Sequence, residues 1–479
     1  MKKYIVVLTL LFWSVFTLKA QDSLYNLNDF ALPKLLRHSL DNSFYFASNN
    51  RGVMNNINST NRLDLNIDGL LASAYNLNYN DTRWQSKLNA SVSFNEVMSG
   101  SLYGADNKSM ETERFNNYFN SNLRFYTENR YYYHGKFFAE AQFGLETMAS
   151  FTNLFDKPQL LGGGTQDEKT SINQTLLSPQ MYLGGGYGRI ERVEDARHAM
   201  YILQELTLKK RLSRPFNAAD VEQLALRIAE LKNERVLDSR LKNIYEMEQL
   251  DAFLREHSLV ELTDAAYFTT LYDMWQYGGN VIRLSGQRLG AGFRFGFSDR
   301  NQHSKIKIDN IITAEDEIDG DENRMEFGLY YQYHFCASEK TQYSLYSQLG
   351  YRYGKFETEY NDNQGLEIKA KTLYYNANAV FGYYPNTRTW IEFGIELNGF
   401  LGRNDNEQVE VNSSSNSFNL GIGPEVRAAY YFSPHFQLEI NLKTMRYYQY
   451  AEDRISSDKF IDQFYTDAYL TAGLKYSIF

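Results

Sequence analysis

The sequence is short of cysteine, proline, positive charge and long apolar runs. Cys336 is the one cysteine among 479 residues, which excludes an internal disulfide and any metal site built from several thiolates. Prolines number 7. No segment beyond the first twenty residues is apolar enough to cross a bilayer as a helix, and a mean hydropathy of -0.51 excludes a polytopic helical membrane protein. Lys and Arg total 49 against 58 Asp and Glu, a formal net charge of -9. That balance argues against nucleic acid as a partner. Aromatic residues, by contrast, reach 15%, with 38 Tyr and 32 Phe. An excess of tyrosine suits extended, half-buried surfaces better than helical cores.

Residues 1–20 read as a secretory signal peptide. Lys2 and Lys3 precede an apolar run from Tyr4 to Leu18, and Ala20 supplies the small residue before a cleavage site at Gln21. The run is short for a membrane anchor, and no cysteine follows to carry a lipid. Loss of Lys2, Lys3 and Lys19 removes three positive charges and takes the net charge from -9 to -12. A mature chain of this kind is either soluble outside the cytoplasm or a membrane β-barrel.

Period-two alternation selects the barrel. Leu63, Leu65, Ile67, Leu71, Tyr75 and Leu77 share one parity, and Asp64, Asn66, Asp68, Asn76 and Asn78 the other. Trp84, Leu88, Ala90, Val92 and Phe94 likewise alternate with Gln85, Lys87, Asn89, Ser91 and Ser93. Successive side chains of a strand point to opposite faces, so each run is apolar on one side only. The pattern recurs around 133–146, 325–335, 343–353, 373–383, 391–401, 418–430 and 436–442. Many runs exceed the five or six residues usual in a sandwich and match a tilted bilayer crossing. Propeller-like repeats are absent.

Aromatic clusters at the strand ends, such as Tyr131–Tyr133, Tyr383, Tyr384 and Trp390, fit the girdle of an outer-membrane barrel. Tight turns are expected at 80–82, 128–130, 385–387 and 433–435, facing the periplasm. Longer polar loops are expected outside at 98–113, 147–172, 299–324, 403–415 and 449–466. Alternating directions around these connections give an all-β transmembrane barrel of about fourteen antiparallel strands, with twelve or sixteen allowed. The expected division is a signal peptide at 1–20, a periplasmic segment at 21–42, barrel at 43–187, insert at 188–278 and barrel again at 279–479.

In that insert the period changes to 3.6. Val193, Ala196, Met200, Leu203 and Leu206 share a helix face, as do Val221, Leu224, Ala225, Ile228 and Leu231. Asn217 and Thr263 suit helix N-caps, and Asp220 completes a capping-box-like pair with Asn217. The preceding strand descends from a long loop, which hangs the helices in the periplasm. A structural cap, a plug under the pore and a docking platform all fit this amphipathic pattern. Gly184, Gly185, Gly186 and Gly188 lack the Gly-Lys-Ser/Thr of a nucleotide loop and are expected to relax the chain as it leaves the strand.

The stretch Gly186-Tyr-Gly-Arg-Ile-Glu-Arg-Val-Glu-Asp-Ala196, with Asp273-Met-Trp-Gln-Tyr-Gly278, resembles Bacteroidota outer-membrane barrel proteins that carry a helical insert. The turn at 431–436 and the Asn/Tyr-rich strands resemble the same group. The resemblance implies a barrel with helices and carries no activity and no functional residues.

Chemistry is sparse. None of the 7 histidines stands in a zinc-binding spacing, and no Gly-x-Ser-x-Gly elbow occurs. His134 and His334 are expected in the aromatic girdle, so no catalytic residue, metal or cofactor is assigned. The acidic run 315–323 lacks EF-hand spacing and reads as a solvated outer loop. Asp64, Asp68, Lys87, Lys136, Glu140, Glu146, Glu392, Glu396, Glu425, Arg427, Glu439 and Lys443 are expected to line the lumen. Charges there need water or partners. The expected function is a non-catalytic pore or export channel for hydrophilic solutes or a polymer. The alternatives are a scaffold whose helices dock a periplasmic protein partner, and a lipid-modifying enzyme; outer-membrane lipid is the expected surround, and no nucleic acid is expected as a partner.

Overall fold

The computed structural model describes residues 25–477 except 33, 56–59, 106–111, 158–166, 234–238, 280, 310, 361–362, 409–411 and 454–458. The signal peptide expected at 1–20 lies outside the described residues. Six strands precede the helices: β1 (Lys34–Asn55), β2 (Thr60–Asp81), β3 (Trp84–Ala105), β4 (Thr112–His134), β5 (Phe137–Lys157) and β6 (Glu168–Arg192). Four helices follow: α1 (Glu194–Leu208), α2 (Ala218–Asn233), α3 (Ser239–Glu256) and α4 (Ala265–Gly278). Then come β7 (Leu284–Ile308), β8 (Ile311–Ser338), β9 (Thr341–Tyr360) and β10 (Asn363–Tyr383). The chain closes with β11 (Thr389–Gln408), β12 (Asn412–Ser433), β13 (Phe436–Asp453) and β14 (Lys459–Ser477).

Each strand pairs with its sequence neighbours, and β1 meets β14, so fourteen antiparallel strands form a closed barrel. The closing seam is the shortest ladder, running from Asp41↔Ser477 to Phe44↔Leu474. Phe119, Leu123, Phe143, Leu183, Phe293, Leu349, Phe393 and Leu442 all stand exposed on the outer wall. A ring of bare apolar side chains over a closed sheet is what a lipid surround requires.

Several boundaries differ from the sequence reading. Strands run from 18 residues in β13 to 28 in β8, so most of the expected long loops are strand. Beyond the lipid the outer face no longer needs apolar residues, and alternation fades while the hydrogen-bond ladder continues. The acidic run 315–323 accordingly lies within β8, paired to β7 and β9, and is not a loop. β1 starts at Lys34 and not at 43, and β6 runs on to Arg192, so the insert begins at Glu194 and not at 188. The hairpin expected at 128–130 turns instead at Gly135 and Lys136, where Gly135 adopts φ +56. Gly184, Gly185 and Gly186 belong to β6 and are paired on both sides, and Gly188 is paired with Arg288 of β7.

The helices form their own core. Ile202, Leu203, Leu206, Leu224, Ile228, Leu254, Tyr267 and Leu271 are fully buried among one another. The capping pair is present, with Asn217 Oδ1 accepting from the Asp220 amide (3.1 Å) and Asp220 Oδ2 from the Asn217 amide (2.8 Å). At α4 the cap is Asp264, one residue beyond the expected Thr263, because its carboxylate accepts from the Tyr267 amide.

Two devices carry this core across the short-turn mouth. The first is the segment before β1. Asn28 accepts from the Cys336 amide and from Ser285, both at 2.9 Å, which anchors it to β8 and β7. Six residues later the chain enters β1, which lies seven strands from β8 in either direction. Six extended residues reach about 20 Å, whereas seven inter-strand steps along the rim exceed roughly 30 Å. The segment therefore cuts across the mouth. Leu27, Phe30, Leu32 and Leu35 bury into the helical core on the way, each contributing about 1.5–3 kcal/mol.

The second device is a pair of bends at Gly188 (φ +108) and Gly286 (φ +114), which turn the ends of β6 and β7 inward. Arg189 and Glu191 then bond Asn80 on β2, at 2.7 and 2.8 Å, although β2 and β6 are four strands apart. A side chain at Gly286 would both strain the left-handed backbone and strike the Arg189 carbonyl. Gly286→Val should thus detach the cap and spare the barrel. Trypsin should cut within 194–278 faster than in the parent while the barrel keeps its heat-dependent migration in SDS; an unchanged digestion rate would contradict the bend's role.

Candidate functional site

Several of the charged residues expected in the lumen lie on the face opposite the exposed apolar set of their strands. On the β11–β13 wall Glu392 pairs with Arg427 (3.0 Å), Arg427 approaches Glu425 (3.9 Å), and Glu396 pairs with Lys443 (2.6 Å). Glu439 accepts from Gln437. These side chains stay partly open, at 22% for Glu392, 40% for Arg427 and 27% for Lys443. On the other wall Glu146 pairs with Arg124 (2.8 Å). Asp68 shares this inward parity, and one of its carboxylate oxygens meets no donor among the described residues. Lys136 is a correction: it sits in the β4–β5 turn, exposed and off the wall, because β4 continues to His134. The side chain of Asp64 lies outside the described residues.

Across β4–β10 the lumen is filled by side chains the sequence reading had not grouped. Gly186 and Gly290 leave β6 and β7 bare, and a Cβ at Gly290 would meet the Tyr330 ring at 2.5 Å. Glu140 from β5 and Tyr330 from β8 use that space to meet at 2.6 Å. Arg130 donates to the same carboxylate at 2.6 Å and Gln142 at 2.8 Å. One layer further along, Glu326 accepts from Arg352 (3.0 Å) and from Tyr374, with Arg294 at 3.6 Å. Glu140 and Glu326 are 3% and 5% exposed, so breaking either network leaves a buried charge. Arg288 from β7 donates to Gln85 on β3 (2.9 Å) and closes this floor beside the inward bend. The inward-facing glycines of 184–188 and 286–292 were the available signal. Their spacing of two marks a wall stripped of side chains so that neighbours can lie across it.

The cap is locked on by ions. Asp195, fully buried, takes Arg37 of β1 (2.7 Å) and Lys232 of α2 (2.8 Å). Burial alone would raise its carboxyl, but the Lys232 and Arg37 charges outweigh burial and hold it below the usual range. Beside it, His198 stacks on Trp275 and bonds the Met274 carbonyl at 2.9 Å. Burial, reinforced by Lys232, pushes its imidazole well below the ordinary value. Arg283 grips the β8–β9 turn through the carbonyls of Ser338, Glu339 and Thr341.

Among the described residues no three His, Cys, Asp or Glu converge as a metal site. His334 faces the lumen and not the girdle, because it shares the parity of Glu326 and Tyr330; its Nδ1 lies 2.9 Å from Ser344 Oγ. No carboxylate bonds the far ring nitrogen among the described residues, so the pair lacks the orienting group of a hydrolase triad.

No family model and no curated protein matches the chain. Solved structures similar to it include the Ralstonia pickettii toluene transporter TbuX, at 10% identity over 94% of this chain and 90% of that one, TM-score 0.33. Others are the monoaromatic hydrocarbon channel CymD (8%, 94% and 89%, TM-score 0.30) and the beta domain of the Bordetella autotransporter BrkA (7%, 93% and 99%, TM-score 0.25).

The buried imidazole makes cap docking sensitive to pH. A histidine held neutral in the fold binds fewer protons than the same residue unfolded, so stability falls as pH drops below about 6.5. At pH 5.5 the loss reaches at most about 1.4 kcal/mol. Asp195, whose carboxyl is held below its ordinary value, acts in the same direction, but only at far lower pH. Amide exchange in α1 and α4, corrected for intrinsic rates, should speed between pH 7.5 and 5.5, and His198→Gln should remove the difference. Equal protection at both pH values would contradict the assignment.

Proposed function

We propose that the chain is a non-catalytic outer-membrane channel for hydrophilic solutes, held closed at its periplasmic mouth by the helical cap. The observation that carries this reading is the β11–β13 wall. Its charges are matched in pairs yet remain partly open, the state expected of groups facing water and not a packed interior. The opposite half of the lumen is filled, which favours small solutes over a polymer. Orientation follows from the connections: tight turns at one rim belong to the periplasm, and the extended hairpins project outward.

The scaffold reading keeps one specific support. Leu208, Leu262, Phe268 and Tyr272 stand 42–74% exposed on the cap, more apolar surface than a simple stopper needs. An enzyme that modifies membrane lipid is third, resting on the His334–Ser344 pair alone.

Deleting 193–275 separates these readings. For a stoppered channel, the truncated barrel still assembles and conducts in planar bilayers well above the parent. For a scaffold, conductance stays negligible in both forms and a periplasmic partner no longer co-purifies. The second outcome would overturn the channel.

A further inference from the structure

Five ionised side chains meet on the β3–β5 and β7 part of the lumen floor: Lys87, Glu128, Arg130, Glu140 and Arg288. Both carboxylates are already engaged. Glu128 contacts Arg130, and Glu140 takes Arg130, Gln142 and Tyr330. Arg288 is 5% exposed, yet its guanidinium bonds neutral groups, the oxygens of Gln85 (2.9 Å) and Gln332 (3.4 Å) and the hydroxyl of Tyr132. Its buried Nε has no partner among the described residues. Lys87 makes no hydrogen bond or ion pair among the described residues and opens to the lumen. It stands two residues from Gln85 on the same face of β3, and so beside the amide that Arg288 holds.

Three cations against two carboxylates leave one positive charge unmatched in a partly dry site. A buried guanidinium without a counter-ion is costly, and the long-range field of a chain at -9 does not draw anions by itself. We propose that this floor binds one oxyanion, the carboxylate or phosphate group of a solute, between Lys87 on the water side and Arg288 on the protein side. Lys87 meets the anion as it descends the open lumen. Arg288 then offers fork-shaped donors suited to two oxygens. The inference rests on the channel reading and deepens it by naming the charged group of the solute.

The test is calorimetry on the full-length barrel in detergent at low salt, with glucose 6-phosphate, acetate and glucose as probes. Saturable 1:1 binding of glucose 6-phosphate, or of acetate, supports the site and tells phosphate from carboxylate. Glucose should not bind. Lys87→Gln should weaken the anion by about tenfold or more, and Lys87→Arg should restore it. Heat-dependent migration in SDS verifies that each variant is folded. Absence of saturable binding by either anion, or equal affinity in Lys87→Gln, overturns the proposal. Because conductance of the cap-deleted barrel is measured without these anions, a failure here stays distinct from a failure of the channel.

Discussion

A strand in lipid can send its backbone hydrogen bonds only to its neighbours, and every feature of this protein follows from that constraint. It forces fourteen strands into one closed sheet. It also leaves the side chains, alternating in and out, to satisfy two solvents at once. The outer set is apolar because lipid covers it. The inner set is free of that demand and carries the ions, the tyrosine hydroxyls and the bare glycines that shape the lumen.

The interior divides into two unequal halves. Where β6 and β7 carry glycine, side chains from β5 and β8 lie flat and join through Glu140 and Tyr330. Where β11–β13 carry larger residues, Glu396 and Lys443 stand off the wall and pair while partly exposed. The same glycine-rich strands bend inward at 188 and 286, so the filled half and the stopper are built from one stretch of chain. The crossing segment and the Arg37–Asp195–Lys232 cluster then tie the stopper to the far side of the rim, at β1.

Much of this was legible in the sequence. Leu63 to Leu77 and Trp84 to Phe94 announce strands with one apolar face, and the Asn217–Asp220 pair announces a helix start. What failed did so for physical reasons. Strand ends beyond the lipid lose their alternation, so the acidic run 315–323 read as loop although it is paired strand. Glycine has no side chain to show parity, so 184–188 read as an exit from the sheet. Lys136 kept the right parity but fell in a turn. An apolar stripe on a helix shows that something covers it and not what, so the position of the cap across the mouth came only from the contacts of Asn28, Arg37 and Arg283. The floor residues Arg130, Arg288, Glu326 and Tyr330 come together across several strands, and no local spacing records that.

The central claim is a lumen wet from the outer rim down to its floor and stoppered below. Cysteine accessibility tests it most directly, since the native Cys336 is buried. Asn398→Cys, on the inner face of β11, should react in intact cells with a membrane-impermeant maleimide added outside. Reaction only after the outer membrane is permeabilised, through the short-turn rim, would contradict the account.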